Sequence, residues 1–454
     1  MMKYHPNSMA MLTDLYEFTM AEVYFREQMF QPATFSLFIR EYPPHRGYFI
    51  SAGLEGVLDF LESMQFAPDD LEYLDSTGLF SRQFLDYLAA FRFTGEVFAM
   101  PEGRLFFKDE PVLEVTAPII EAQLAETAVI NMINLQVNIA TKVSRCVHAA
   151  QGRNIVDFSL RRTQGTDAGM AVARAGYIAG MSATSNVLAG KSLGIPVAGT
   201  MAHSFVTSFE EEIDAFRTFA NAFGDRTVLL IDTYDTLVAA EKAVVVAKEL
   251  VARGRRLRGV RIDSGDMVAL SRKIRDLFRR KGLEYVDIFA SGGIDEFKID
   301  QSIRKGAEID AYGVGTKMGV SADSPYTDIA YKLVQFDGRP VMKLSSGKKT
   351  LVAPKQIFRK EKDGLLAADT IALREEMLEG EPLLRTVMRG GKRSDERDSL
   401  ETIRSRHKKE FGKLAAASKS IKKPQMYPVG ISDRLERLQQ RVKHHIIEKE
   451  LGES

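Results

Sequence analysis

The chain has one cysteine, Cys146, in 454 residues. A lone thiol excludes an intrachain disulfide framework and any cysteine-based zinc cluster. Cys146 sits in a mixed apolar and basic helical pattern, so its reading is structural, a small side chain filling space. Long apolar runs are also missing. No stretch reaches about 18 residues, and Met1-Met2-Lys3-Tyr4-His5-Pro6 has no apolar leader core. No membrane association and a cytoplasmic location are therefore expected. The formal net charge is only +1, so nothing global favours nucleic acid. There is no HExxH, no CxxC and no partner set for a serine- or cysteine-type triad, which leaves hydrolase and zinc-enzyme readings without support. Low-complexity linkers and internal repeats are absent. What is there is an ordinary globular balance, 45% hydrophobic and 27% charged, in a chain long enough for two or three domains.

Apolar spacing predicts a helix over 8–30 with Met11, Leu15, Phe18, Met20 and Val23 inward. It carries Thr13-Asp14-Leu15-Tyr16, which reads most simply as an N-terminal turn and a core tyrosine. A strand over 33–40 ends at Tyr42-Pro43-Pro44. Helical patterns fill 53–92, and a short β region spans 98–115. Pro118 opens a long helix with Ile130, Ile133, Val137 and Ala140 on one face, proline being tolerated in a first turn. From about 152 to 320, short apolar strands recur at Ile155, Val197, Val228, Val260, Ile288 and Ala311. Helical intervals at 236–253 and 267–282 separate some of them. Repeated β–helix–β units imply parallel strands, in an open sheet or a closed barrel; the barrel is favoured. Beyond it, 331–336 and 341–344 read as a hairpin around Asp337-Gly338. The charged run 392–423 reads as a solvated helical face rather than a nucleic-acid site. Leu435, Leu438, Val442 and Ile446 mark a last amphipathic helix.

Polar groups cluster just after the parallel strands. Asp157-Phe158-Ser159-Leu160-Arg161-Arg162-Thr163-Gln164-Gly165 follows one, and Gly199-Thr200-Met201-Ala202-His203-Ser204-Phe205 follows the next. Between them, 171–190 is rich in Ala, Ser and Gly, which lets a helix pack closely on a sheet. Ser291-Gly292-Gly293 and Gly313-Val314-Gly315-Thr316 suit close approach of backbone N–H groups to phosphate, although glycine pairs also end strands for steric reasons. Asp263, beside Arg261, suits a ribose hydroxyl or Mg²⁺ near phosphates, or else a structural ion pair. Ile231-Asp232-Thr233-Tyr234-Asp235-Thr236 lacks the paired acids and glycine turn of type I phosphoribosyltransferases. His203 is either a satisfied hydrogen-bonder or, with its second nitrogen oriented, a nucleophile toward phosphorus.

Taken together, Thr13-Asp14-Leu15-Tyr16, Pro118 with Glu121-Ala122-Gln123-Leu124, Leu160-Arg161-Arg162-Thr163-Gln164-Gly165, Thr184-Ser185-Asn186-Val187-Leu188-Ala189-Gly190, Gly199-Thr200-Met201-Ala202-His203-Ser204, Ile231-Asp232-Thr233-Tyr234-Asp235-Thr236 and Arg261-Ile262-Asp263-Ser264-Gly265-Asp266 resemble the nicotinate phosphoribosyltransferases, of the type II phosphoribosyltransferase superfamily. The likeness spans 8 to about 345 and is looser beyond.

The resemblance implies an α/β fold with three parts. These are an N-terminal α+β domain (1–125), an irregular TIM-like α/β barrel (126–345) and a C-terminal helical and β extension (346–454) packing back on the first. It implies a homodimer with shared active sites, and conversion of nicotinate and phosphoribosyl pyrophosphate to nicotinate mononucleotide and pyrophosphate, in NAD biosynthesis. The reaction would be coupled to hydrolysis of ATP, with Mg²⁺, whose ligands the sequence does not specify. By motif match, His203 would be phosphorylated. Phe158 and the partner subunit's Tyr16 would sandwich the pyridine ring, and Asp14 would also bind substrate. Arg161 and Arg261 would face substrate and phosphate groups, Asp263 the ribose, and Gly292, Gly293, Gly313 and Gly315 the 5′-phosphate, with Thr200, Ser291 and Thr316 also substrate-binding. Asp232 or a backbone carbonyl would orient His203. The related nicotinamide enzyme has an acid where Ser185 stands, and a carboxylate there would repel nicotinate. Nicotinamide and quinolinate phosphoribosyltransferases, and a non-catalytic nucleotide-binding barrel, are the alternatives; a nucleic-acid module is a further one.

Overall fold

The computed structural model describes residues 6–344 and 350–452. The chain divides into two compact units, one of Met1–Asn138 with Tyr326–Ser454 and one of Ile139–Pro325. The first unit thus draws on both ends of the chain, where the sequence reading placed boundaries at 126 and 345.

The first unit is built on a seven-stranded sheet. Its order is Arg339–Pro340, Ile329–Phe336, Pro32–Ile39, Leu113–Pro118, Glu96–Ala99, Arg385–Arg389 and Lys392–Arg393. The central strand Pro32–Ile39 is buried along nearly its whole length, as expected for β-branched and aromatic residues paired on both edges. Tyr331 stacks on Phe35 across the antiparallel pair, ring centroids 4.8 Å apart. The hairpin around Asp337-Gly338 forms, but its second strand is only Arg339–Pro340. The helix expected over 8–30 is shorter, Leu15–Arg26, preceded by a tight turn at Pro6–Met11. Its buried face is Glu17, Phe18, Ala21 and Glu22, while Leu15 and Val23 are exposed. Two buried glutamates on the inward face are what the apolar spacing misjudged.

A second sheet in this unit orders Glu381–Pro382, Lys355–Lys362, Leu365–Leu373 and Val429–Ile431. Arg359 lies fully buried within it, its Nε 2.9 and 3.1 Å from the two Asp369 oxygens and its Nη1 bonded to Glu410. Glu410 comes from the helix Leu400–Lys413, which occupies the basic run and carries buried Ile403 and His407.

The second unit is a curled parallel sheet with helical crossovers. Its order is Ala183–Thr184, Asn154–Asp157, Ala311–Val314, Asp287–Ala290, Gly259–Ile262 and Val228–Leu230. Val197 adds one parallel bridge to Thr184. Three crossover helices, Thr236–Ala252, Met267–Lys281 and Glu296–Arg304, are each capped by an aspartate (Asp235, Asp266 and Asp295) accepting from first-turn N–H groups. Among the described residues no ladder joins Val197 to Val228–Leu230. The expected barrel is therefore a half-barrel in its hydrogen bonding. The intervening residues form helices at His203–Thr207 and Glu212–Phe223 instead. Cys146 is buried here, 3.9 Å from a Glu296 oxygen, and burial pushes its thiol pKa up. Among the described residues no helix is long and apolar enough to cross a membrane.

Candidate active site

Strands that run parallel end on the same side, so the residues after each strand meet at one rim. There a cavity of about 500 Å³ opens in the second unit. It is lined by Phe158 and Arg161 after one strand, by Ser185 after the next, and by Thr200 past Val197. Arg261, Asp263, Ser291, Gly292, Gly293, Gly313, Gly315 and Thr316 complete it. These twelve sequence-predicted residues converge.

The wall around Phe158 is set by one buried carboxylate. Asp157 Oδ1 accepts from the Ser159 N–H at 2.8 Å and the Ser159 hydroxyl at 2.6 Å, and its Oδ2 accepts from the Thr184 hydroxyl at 2.7 Å. The Asp157 carbonyl takes the Ser185 N–H at 2.8 Å. Asp157 therefore fixes both the ring-bearing loop and the Ser185 loop. Sequence reasoning passed over this role, although an acid closing an apolar strand was its visible signal. Gly313 serves the same wall: a Cβ there would stand 2.4 Å from the Phe158 ring, so glycine admits the ring rather than leaving room for a ligand.

Arg261 projects from Gly259–Ile262 over the Phe158 ring, 5.9 Å from its centroid. One Nη donates to the Thr200 hydroxyl, and Nε is buried with no partner among the described residues. Burial is the main cause that lowers its pKa, with Arg161 adding to it against the attraction of Asp263 and Asp232. A guanidinium stays protonated under such a shift, so the site holds an under-compensated cation.

Asp263 accepts the Ser291 hydroxyl. Asp232 Oδ2 takes the Asp263 N–H at 3.0 Å and the Ser264 hydroxyl at 2.6 Å, while its Oδ1 is buried without a partner among the described residues. Asp232 thus braces the Asp263 turn. The residue beside His203 is Thr233, whose hydroxyl lies 3.2 Å from Nδ1; among the described residues neither Asp232 nor a backbone carbonyl hydrogen-bonds the ring. His203 itself is exposed, opening the helix His203–Thr207 directly after cavity-lining Ala202.

At Gly292 (φ +92°) a Cβ would lie 1.8 Å from the Asp263 carbonyl oxygen, so only glycine fits. The N–H groups of Gly292, Gly293 and Ile294 have no acceptor among the described residues. Successive free N–H groups on such a turn form an anion-binding concavity.

Asp14 and Tyr16 belong to the first unit. Asp14 accepts from the Thr127 hydroxyl at 3.1 Å. Tyr16 is 48% exposed, which rules out the core-tyrosine reading. Burial, then Glu126 and Glu17, raise its hydroxyl pKa.

Comparison with known proteins matches most of the chain to one family. Family models match at 11–134 (nicotinate phosphoribosyltransferase N-terminal domain), 153–366 (nicotinate phosphoribosyltransferase family) and 377–439 (nicotinate phosphoribosyltransferase C-terminal domain). The chain is 46% identical to the nicotinate phosphoribosyltransferase pncB2 of Mycobacterium tuberculosis, over 94% of this chain and 92% of that one. It is 38% identical to the nicotinate phosphoribosyltransferase of Bacillus subtilis, over 84% and 79% of the two chains. The crystal structure of human nicotinic acid phosphoribosyltransferase superposes with a TM-score of 0.85 at 28% identity, covering 95% of this chain and 99% of the human one. The order of motifs, the cavity they form and these relatives agree: the chain belongs to the nicotinate phosphoribosyltransferase family.

Proposed function

We propose that this protein transfers the phosphoribosyl group of phosphoribosyl pyrophosphate to nicotinate, in the biosynthesis of NAD. The observation that carries this reading is the single cavity in which an aromatic ring, two arginines, an aspartate and a free N–H turn converge. The pyridine nitrogen has its own lone pair and needs no general base. As its bond to the ribose C1′ forms, the C1′–oxygen bond to pyrophosphate breaks and both electrons leave with pyrophosphate. The cost lies in charge developing at the sugar and the leaving group, which preorganised cations lower. Phe158 would stack on the pyridine ring, and Arg161 and Arg261 would meet anionic groups. Asp263 would hold the ribose, and Ser185 admits the nicotinate carboxylate without repulsion. The exposed Tyr16 suits a ring contributed across a homodimer.

Magnesium fits the oxygen donors present. Asp263 and the unpartnered Oδ1 of Asp232 would hold it with phosphate oxygens, as this ion usually binds. When bound it supplies charge neutralisation for the departing pyrophosphate. ATP would phosphorylate His203. With Nδ1–H donated to Thr233, Nε2 keeps the lone pair that attacks the γ-phosphorus while ADP leaves.

The test is an assay with nicotinate, phosphoribosyl pyrophosphate, Mg²⁺ and ATP, following nicotinate mononucleotide by chromatography. Product should form, stimulated by ATP. In His203→Ala, ATP hydrolysis and stimulation should vanish while slow ATP-independent transfer remains. Equal kcat/KM for nicotinamide, CO₂ release from quinolinate, or binding without turnover would each replace the proposed activity. ATP-stimulated turnover in the variant would remove His203 from the mechanism.

A further inference from the structure

Two ammonium groups flank the glycine turns after the last two strands, and one aspartate separates their fates. Asp295, buried at the N-cap of Glu296–Arg304, accepts the Lys298 backbone N–H through Oδ1 at 2.9 Å. Its Oδ2 takes the Lys317 Nζ at 2.7 Å. Lys317 is thereby neutralised. Lys298 is exposed and makes no ion pair among the described residues. Its Nζ lies 3.4 Å from where a Cβ on Gly293 would be, beside the turn whose three consecutive N–H groups have no acceptor. It lines a cavity of about 360 Å³ that shares Asp263 and Gly292 with the site above.

A free ammonium next to a row of free N–H groups is the donor set that a phosphate dianion completes. We propose that Lys298 binds the phosphate of the ribosyl substrate at the Gly292–Gly293 turn, supplying the charge that the neutral backbone donors lack. This rests on the cavity being a phosphoribosyl site. Lys298 acts on binding of the sugar phosphate, remote from the bond that breaks, so its loss should raise KM for phosphoribosyl pyrophosphate and spare kcat.

The experiment compares Lys298→Ala, Lys298→Arg and Lys305→Ala. Lys305 is the control: like Lys298 it lines the 360 Å³ cavity, but it caps the far end of Glu296–Arg304, about two helical turns from the Gly292–Gly293 turn. Lys298→Ala should raise KM for phosphoribosyl pyrophosphate by about tenfold to a hundredfold, leaving kcat and the KM for nicotinate within about twofold. Lys298→Arg should recover most of the loss, and Lys305→Ala should match the parent. Calorimetry with ribose 5-phosphate should show the same weakening in Lys298→Ala. An unchanged KM and an unchanged ribose 5-phosphate affinity in Lys298→Ala would overturn the assignment, as would an equal effect from Lys305→Ala. A parent protein without turnover would instead overturn the activity on which it rests, and the ribose 5-phosphate titration would still decide the lysine.

Discussion

Of the arginines that lie against phenyl rings, Arg359 and Arg261 differ in surroundings in a way that separates structure from function. Arg359, in the first unit, sits 5.4 Å from the Phe107 ring centroid and is bound by Asp369 and Glu410. Those partners outweigh burial and raise its pKa. Arg261, in the second unit, sits 5.9 Å from the Phe158 ring centroid. A neutral hydroxyl is its recorded hydrogen-bond acceptor, and burial lowers its pKa. A desolvated cation in a cavity, whose burial outweighs the carboxylates near it, marks a candidate functional group.

The comparison is broken most directly by removing each guanidinium in turn. Arg261→Met should lower kcat/KM by about a thousandfold, the scale of a lost charge-stabilising group, with little change in thermal midpoint. Arg359→Met strands two carboxylates in the interior and should cost about 3–5 kcal/mol of stability, measured by denaturant unfolding, with activity retained at low temperature. If both variants lose stability alike, the distinction fails. A smaller effect is expected at the rim. Ser185→Asp should shift the kcat/KM ratio for nicotinate over nicotinamide by about tenfold toward nicotinamide, the amide lacking the charge that aspartate repels.

The smallest effect concerns pH and the helix that supplies Glu410. His407 lies on it, buried, and burial lowers its pKa from 6.5 to about 4. The folded state therefore favours the neutral ring. Its contribution is fully present above pH 6.5 and is lost as pH falls toward 4. The parent's thermal midpoint should fall more steeply from pH 7 to pH 5 than that of His407→Leu. Parallel slopes would remove His407 from the acid response.

Position after a strand was readable without coordinates. Phe158, Arg161, Arg261 and Asp263 were placed together because apolar runs announce strands and parallel strands share an end. Partnership was less readable. Thr233 beside His203 depends on how the 231–236 turn folds, and Lys298 differs from Lys317 only through the side chain of Asp295. The strand at Ala183–Thr184 was missed because two residues carry no period. Glu17 and Glu22 were not among the residues read as facing inward, yet they are buried.

Asp157 joins neighbouring loops through a single carboxyl group and its own carbonyl. The aperture between Phe158 and Ser185 is thus gauged from behind, by a clasp outside the cavity lining. Rim side chains can be exchanged for a different ring chemistry while that gauge holds its width. A change at the clasp would move both walls of the cavity at once.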